Sequence, residues 1–324
     1  MKKIVLSSFI VVLCMLIIPL CNIKSQENDK TPKAVQTSVT AKEELKKENK
    51  TDTAVFRIKT ADGIKEIPAD EYVVGVVAAE MPSSYNIEAL KAQSVAAYTF
   101  ALYKSEKNAG QDYDLTDSYE TDQSYLSEDK LKEKWGEDYN DKIEIIKQAV
   151  DETKGEYLSF DSSPALTLYH AVSSGVTNAC VDVFGGDPPY LKSVQSEWDK
   201  LSPDYKSVFS FSEDELSSKL AEIKKASAHD NLFGEAEKAQ SGAVKQIKYA
   251  GEAVSGSKLC SLLGLPSPNF TVEFTAGAYS FTCLGKGHGV GMSQYGAGQM
   301  ALTGSDYRQI LSHYYPGTEL KKNT

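Results

Sequence analysis

EYVVGVVAAEMPSSYNIEALKAQSVAA, residues 71–97, is the stretch that decides the fold. Two apolar runs stand on either side of Met81-Pro82-Ser83-Ser84. The first, with Ala69-Asp70 before it, spells a short helix that ends at Glu80. Pro82 has no amide hydrogen and restricts the residue ahead of it, so the helix stops or bends there. The second run begins at Asn86, a good N-cap, with Glu88 in the first turn. Ile87, Leu90, Ser94, Ala97, Tyr98 and Ala101 then recur at three- and four-residue spacing and share one helical face. Ala92, Ala96 and Ala97 are small enough to let a neighbour approach closely. One mixed α/β (α+β) body is the expectation, with excursions at 105–160 and 200–265 flanking a cleft that Glu80 faces. Glu80 is the one acid at the end of its apolar run. A carboxyl group near apolar walls keeps its proton toward neutral pH. From position alone it is either a partly solvated helix-end acid without a chemical role or a general acid.

Working outward, AVFRIKTADGIKEIP (54–68) alternates Phe56 and Ile58 with Arg57 and Lys59 ahead of Asp62-Gly63, which predicts a hairpin. Residues 105–160 are polar and tyrosine-rich, with an amphipathic stretch at DKIEIIKQAVDET, and read as an excursion from the core. ALTLYHAVSS (165–174) has strand character. Residues 200–265 are charged and helical in pattern, a second excursion. PNFTVEFTAGAYSFTCLG is strand-rich, and GSDYRQILSHYYPGT is a capped helix stopped by Pro316 and Gly317. No internal repeat is visible.

The 324 residues carry a formal net charge of −10, with 41% hydrophobic residues. That suffices for a real core, and it argues against a nucleic-acid partner, which needs a basic face. Met1-Lys2-Lys3 and the apolar run to Cys21 form a positive end followed by about one bilayer span. A cleaved signal and a retained anchor compete. No Ala-x-Ala-like site follows, and Leu20 is bulky for a lipid-attachment site at Cys21, so the reading is an anchor over residues 1–24. Residues 25–52 are polar and aperiodic, a solvated stalk. The catalytic or binding body is then residues 53–320. Of five cysteines, Cys14 and Cys21 lie in the anchor. Cys260 and Cys283 could be bridged with Cys180 free, or all three could be buried thiols.

Three further segments could carry chemistry. GKGHGVGMSQYGAGQM (285–300) alternates glycines around His288, which suits close backbone approach rather than a packed strand. Met292 onward enters a helix that Ser293 can cap, with Gln294 in its first turn. The competing reading is a tight turn with a buried histidine. YHAVSSG (169–175) and FGGDPPYLKSVQSEWD (184–199) put His170, Tyr190, Lys192, Ser193, Ser196 and Trp198 in loops, where binding groups concentrate. Plain loop surface is the alternative. No nucleophile elbow surrounds a serine, and no electropositive setting surrounds Cys180. No CxxC or HExxH pattern supports zinc.

Taken together, residues 71–97, YHAVSSG…FGGDPPYLKSV (169–194) and GKGHGVGMSQYGAGQMALTG…ILSHYYPGT (285–318) resemble the stage II sporulation protein D family. The resemblance implies a membrane-anchored lytic transglycosylase that cuts the MurNAc–GlcNAc bond of peptide-stripped glycan strands during spore engulfment. Its domain would lie outside the cytoplasm, facing the intermembrane space. It would work beside stage II sporulation proteins P and M. Glu80 falls on the family's catalytic Ala-Glu-Met-Pro motif, and Tyr190 and Lys192 on its Tyr-x-Lys pair. Where the family commonly reads Val-Ala-Ala-Arg-Thr-Tyr, this chain has Val95-Ala96-Ala97-Tyr98-Thr99-Phe100, with Tyr98 at the active-site arginine. Some members carry a Cys and His metal pair ahead of a Gln-x-Tyr motif. DSYETDQSY (117–125) has neither, so no metal and no cofactor are expected. Candidate substrate contacts are Tyr98, His170, Tyr190, Lys192, His288, Ser293 and Gln294. A non-catalytic glycan-binding module or amidase modulator is the alternative, and a hydrolase that consumes water is a third.

Overall fold

The computed structural model describes residues 54–224 and 232–323. The expected anchor (1–24) and stalk (25–52) lie outside the described residues. Among the described residues no helix is long and apolar enough to cross a membrane.

The chain opens with the expected hairpin. Strand β1 (Val55–Thr60) pairs antiparallel with β2 (Gly63–Pro68), and Phe56 and Ile58 point into the core. Helix α1 (Ala69–Glu80) follows at once, and α2 (Ile87–Lys107) begins after the Pro82 break. The Asn86 side chain accepts the Glu88 amide at 2.9 Å, as its N-cap role requires. From Ala89 to Ala101, α2 is buried nearly all round apart from Lys91, which makes it the central post of the body. It packs on α1 and on later helices. The short β3 (Leu115–Thr116) adds to β1 in parallel.

Next come α3 (Glu128–Trp135) and α4 (Tyr139–Glu152). Helix α4 buries Ile143, Ile146, Ala149 and Val150 against α1 and α2, so the 105–160 segment contributes to the main core. Strand β4 (Glu156–Phe160) takes β5 (Ser163–Pro164) on one edge. Of ALTLYHAVSS only β6 (Tyr169–His170) is regular strand. Helix α5 (Cys180–Val183) is a single turn, and a 3₁₀ turn covers Glu197–Leu201.

Residues 206–284 close a second hydrophobic cluster. It contains β7 (Lys206–Ser212), α6 (Glu213–Lys219), β8 (Phe233–Lys238), β9 (Val244–Tyr249), β10 (Glu252–Ser255), α7 (Gly256–Leu263), β11 (Phe270–Thr275) and β12 (Ala278–Leu284). Two three-stranded antiparallel sheets result, ordered β11-β12-β7 and β10-β9-β8. The helical pattern expected for 200–265 is therefore mostly strand. Its lysines and glutamates line the solvent side of β8 and β9, while Phe233, Val244, Ile247 and Tyr249 face inward. Burial of those few aromatic and β-branched residues overrides the helix preference of the charged ones.

The chain then returns to the first cluster. β13 (Met292–Ser293) pairs in parallel with β6, and α8 (Gln294–Leu302), α9 (Tyr307–Tyr314) and β14 (Glu319–Lys322) complete the body. Asp306 and Gln309 cap α9 reciprocally, and β14 closes on β4. Cys180, Cys260 and Cys283 are free thiols. Burial pushes Cys260 up to about 12 and Cys283 to about 11, so neither is reactive at neutral pH.

Candidate active site

Glu80 closes α1, where the helix has run out of its own hydrogen-bond donors. The Gln123-Ser124-Tyr125 strand of loop supplies one instead: the Ser124 amide donates to Glu80 Oε1 at 2.8 Å. Gly75 is what lets this loop run so close. A Cβ there would stand 2.4 Å from the Tyr125 ring and 2.6 Å from the Leu126 carbonyl. Tyr125 stacks on Tyr72 of α1, centroids 5.4 Å apart. Glu80 is part-buried, and that desolvation holds its carboxyl above the ordinary range, against the opposing pull of Ser124 and of Lys134. The charged neighbour acting on it among the described residues is thus a lysine, not a second carboxylate.

A polar seam leads from Glu80 into the core. Tyr169 feels the Glu80 charge and donates its hydroxyl to Gln123 Oε1 at 2.7 Å. Gln123 in turn donates to the Tyr72 hydroxyl and the Ala97 carbonyl, each at 3.2 Å. Gln294 donates to Gln93 Oε1 at 3.4 Å, tying α8 to α2. Tyr169 and His170 form β6, in register with Met292 and Ser293 of β13. His170, His288, Ser293 and Gln294 therefore do gather on one side of the body.

The two histidines are held neutral. Their ring centroids lie 5.8 Å apart. His170 Nδ1 donates to the Val290 carbonyl at 3.2 Å, while its Nε2 is buried without a partner among the described residues. Burial lowers His170 to about 3, with His288 adding to the effect. His288 accepts the Val290 amide at 3.0 Å, and burial lowers it to about 4. Neither is an imidazolium at neutral pH, and each keeps a single ring N–H; they shape the loop. Gly291 permits that shape, since φ is +75° and a Cβ would stand 1.9 Å from the Leu168 carbonyl.

Ser293 caps α8 by accepting the Gly296 amide at 3.1 Å, and donates to Asp199 Oδ1 at 2.8 Å. Asp199 is fully buried and also receives the Ser173 amide at 2.9 Å and the Ser173 hydroxyl. Burial raises this carboxyl, and the serine donors offset part of the cost. Asp199 joins the 172–175 turn, the 3₁₀ turn and the start of α8.

The remaining candidates lie elsewhere. Tyr190 is buried in the main core, its hydroxyl accepting the Leu166 amide at 2.8 Å and its ring 5.1 Å from that of Phe160. Lys192 is on the surface, paired with Asp187. Tyr98 shares a cleft with Ala69 and Asp70, at the opposite end of α1 from Glu80, about 16 Å along the helix. Sequence reading missed Tyr169, Gln93, Gln123, Ser124, Lys134 and Asp199. The Gln-x-Tyr motif at 123–125 was the available signal for two of them.

Comparison with known proteins meets this geometry at the same residues. A family model described as "Stage II sporulation protein" matches residues 57–160, which hold α1, the Glu80 end and the Gln123-Ser124 loop. The chain is 36% identical over 303 residues to stage II sporulation protein D of Bacillus subtilis (strain 168), covering 92% of this chain and 87% of that protein. The chain belongs to the stage II sporulation protein D family. Stage II sporulation protein D of Bacillus amyloliquefaciens is 35% identical over 279 residues, 85% of this chain and 80% of that protein. The amidase enhancer of Bacillus subtilis (strain 168) is 29% identical over 299 residues, 76% of this chain but 40% of its own length. As a member of the family the protein is a sporulation protein, and Glu80 and its loop are part of the family segment.

Proposed function

We propose that this protein is a membrane-anchored lytic transglycosylase that cleaves the MurNAc–GlcNAc bond of peptide-stripped glycan strands, leaving 1,6-anhydroMurNAc ends, during engulfment. One observation carries the reading: a part-buried carboxyl with a raised proton affinity, oriented by the Ser124 amide, whose charged neighbour among the described residues is Lys134 rather than another acid. Glycoside hydrolases mostly employ two carboxylates. A single one suffices when the nucleophile is the sugar's own hydroxyl.

Glu80 gives its proton to the glycosidic oxygen as the bond to C1 breaks. The resulting carboxylate then takes the proton of the MurNAc C6 hydroxyl, whose oxygen bonds to C1. The acid is regenerated and no water enters. Ring closure is intramolecular, so much of the ordering cost is already met. Lys134 stabilises the carboxylate formed in the first half, and the part-buried setting favours the acid needed at its start. We place the body outside the cytoplasm on its anchor, acting with stage II sporulation proteins P and M.

Likeness to the amidase enhancer supports a second reading, a glycan-binding module that modulates an amidase. Mass spectrometry of denuded glycan incubated with the protein separates the readings. Anhydro ends, lost by about 10²-fold or more in Glu80→Gln, are expected. Reducing ends would mean a hydrolase, and bound but uncut glycan would mean the module.

A further inference from the structure

The cleft that receives Tyr98 has no place in the chemistry at Glu80. We propose that it is a separate binding site for a short zwitterionic peptide, held by Asp151 and Lys322 over a floor of Val73, Val150 and Tyr98.

The cleft has a volume of about 540 Å³, within the usual range for small-ligand sites and ample for three residues. It lies between the start of α1, the end of α4 and β14. Ala54, Ala69, Val73 and Val150 make its wall apolar. The Tyr98 hydroxyl, which accepts the Asn323 amide at 3.2 Å, makes one side polar and neutral. Four charges stand on the lining: Asp70, Asp151, Lys154 and Lys322. Asp70 and Lys154 neutralise each other in an ion pair. Among the described residues Asp151 and Lys322 make no direct ion pair, Asp151 acting only at longer range on Lys154, and both are exposed.

That charge pattern selects the ligand class. A phosphate or polyanionic ligand meets two carboxylates. An apolar ligand strips water from four charges without replacing it, which is costly. A neutral sugar needs an open aromatic face, and the Tyr98 ring is 91% covered, packed against Phe56. A peptide with a free ammonium and a free carboxylate matches Asp151 and Lys322 at once. An extended tripeptide spans about 10 Å and carries its two charges at opposite ends. Peptides of this kind are released wherever glycan is stripped of its peptides, the reaction that must precede the proposed cleavage.

The site does not depend on Glu80 being an acid, and the experiment keeps the two apart. Full-length protein is titrated calorimetrically with trialanine, N-acetyl-trialanine, trialanine amide and a denuded glycan fragment. Trialanine binds with a Kd on the order of 0.1–1 mM, and each charge-blocked peptide binds at least about tenfold more weakly. Asp151→Asn and Lys322→Met, both at exposed positions, each weaken trialanine about fivefold or more. Glu80→Gln leaves it unchanged. The proposal is overturned if trialanine at 10 mM (about tenfold above the expected range) gives no binding heat. It is equally overturned if the blocked peptides bind as well, if Lys322→Met binds like the parent, or if the glycan fragment displaces the peptide.

Discussion

Glu80 and Tyr190 show how differently a residue in a motif can act. The carboxyl of Glu80 is raised by burial, so its charged form is the one the fold disfavours. Below the ordinary carboxylate pKa both folded and unfolded chains are protonated and the penalty is absent. It grows as pH rises through that value toward the raised folded one, and is full above it. Glutamine escapes it. Glu80→Gln is therefore expected to melt above the parent at pH 8 and level with it at pH 3.5, as thermal unfolding will show. A lower melting point for the variant at pH 8 would remove the burial argument. At Tyr190 the hydroxyl is occupied by the Leu166 amide inside the core. Tyr190→Phe leaves that amide unpaired and is expected to cost about 1–2 kcal/mol in urea unfolding. Its effect on glycan affinity should be small; a large loss of affinity at unchanged stability would instead put the hydroxyl on the substrate.

At the scale of elements, α1 matters for what crosses it. The 123–126 loop reaches Glu80 because Gly75 leaves room for Tyr125. Gly75→Ala improves the helix by roughly 1 kcal/mol in isolation, but its methyl group must displace the Tyr125 ring. Activity is expected to fall about tenfold or more as Ser124 leaves Glu80, and displacing the Leu126 carbonyl is expected to lower stability as well. Undiminished anhydro-sugar release from Gly75→Ala would show that Ser124 does not orient the acid. Both helices, the hairpin, the N-cap at Asn86 and the cap at Ser293 were legible in the sequence, because each depends on neighbours within a turn or two. The strands of 206–284 were not. Lys245, Lys248 and Glu235 favour helix locally, and what makes them strand is a partner strand and an inward neighbour supplied by the rest of the cluster.

On the scale of the whole molecule, the two hydrophobic clusters meet near the 172–175 turn and the 285–291 loop. Val172 bridges to Lys286, and the Tyr205 hydroxyl donates to the Ser174 carbonyl at 3.3 Å. The His170–His288 pair lies in this region with both rings neutral. The unfolded chain protonates them near their ordinary value of 6.5, the folded chain only near 3 and 4. Stability is thus full above pH 6.5 and falls as pH drops toward 4, by up to about 1.4 kcal/mol per pH unit for each histidine. Urea unfolding at pH 7, 6, 5 and 4.5 should trace that slope, and His170→Gln should flatten it; an unchanged slope in His170→Gln would mean that the pair does not set acid stability. The sequence alone determined the helix–break–helix pair, the family motifs and the acid at the end of α1. Those are properties of spacing and of short-range sterics. Only the tertiary structure decided that Glu80 has Ser124, Tyr169 and Lys134 for company, that Tyr98 opens on a different cleft, and that Tyr190 belongs to the core. Such pairings join residues 24 or more positions apart, and burial, which sets each proton's affinity, exists only once those distant segments have closed on one another.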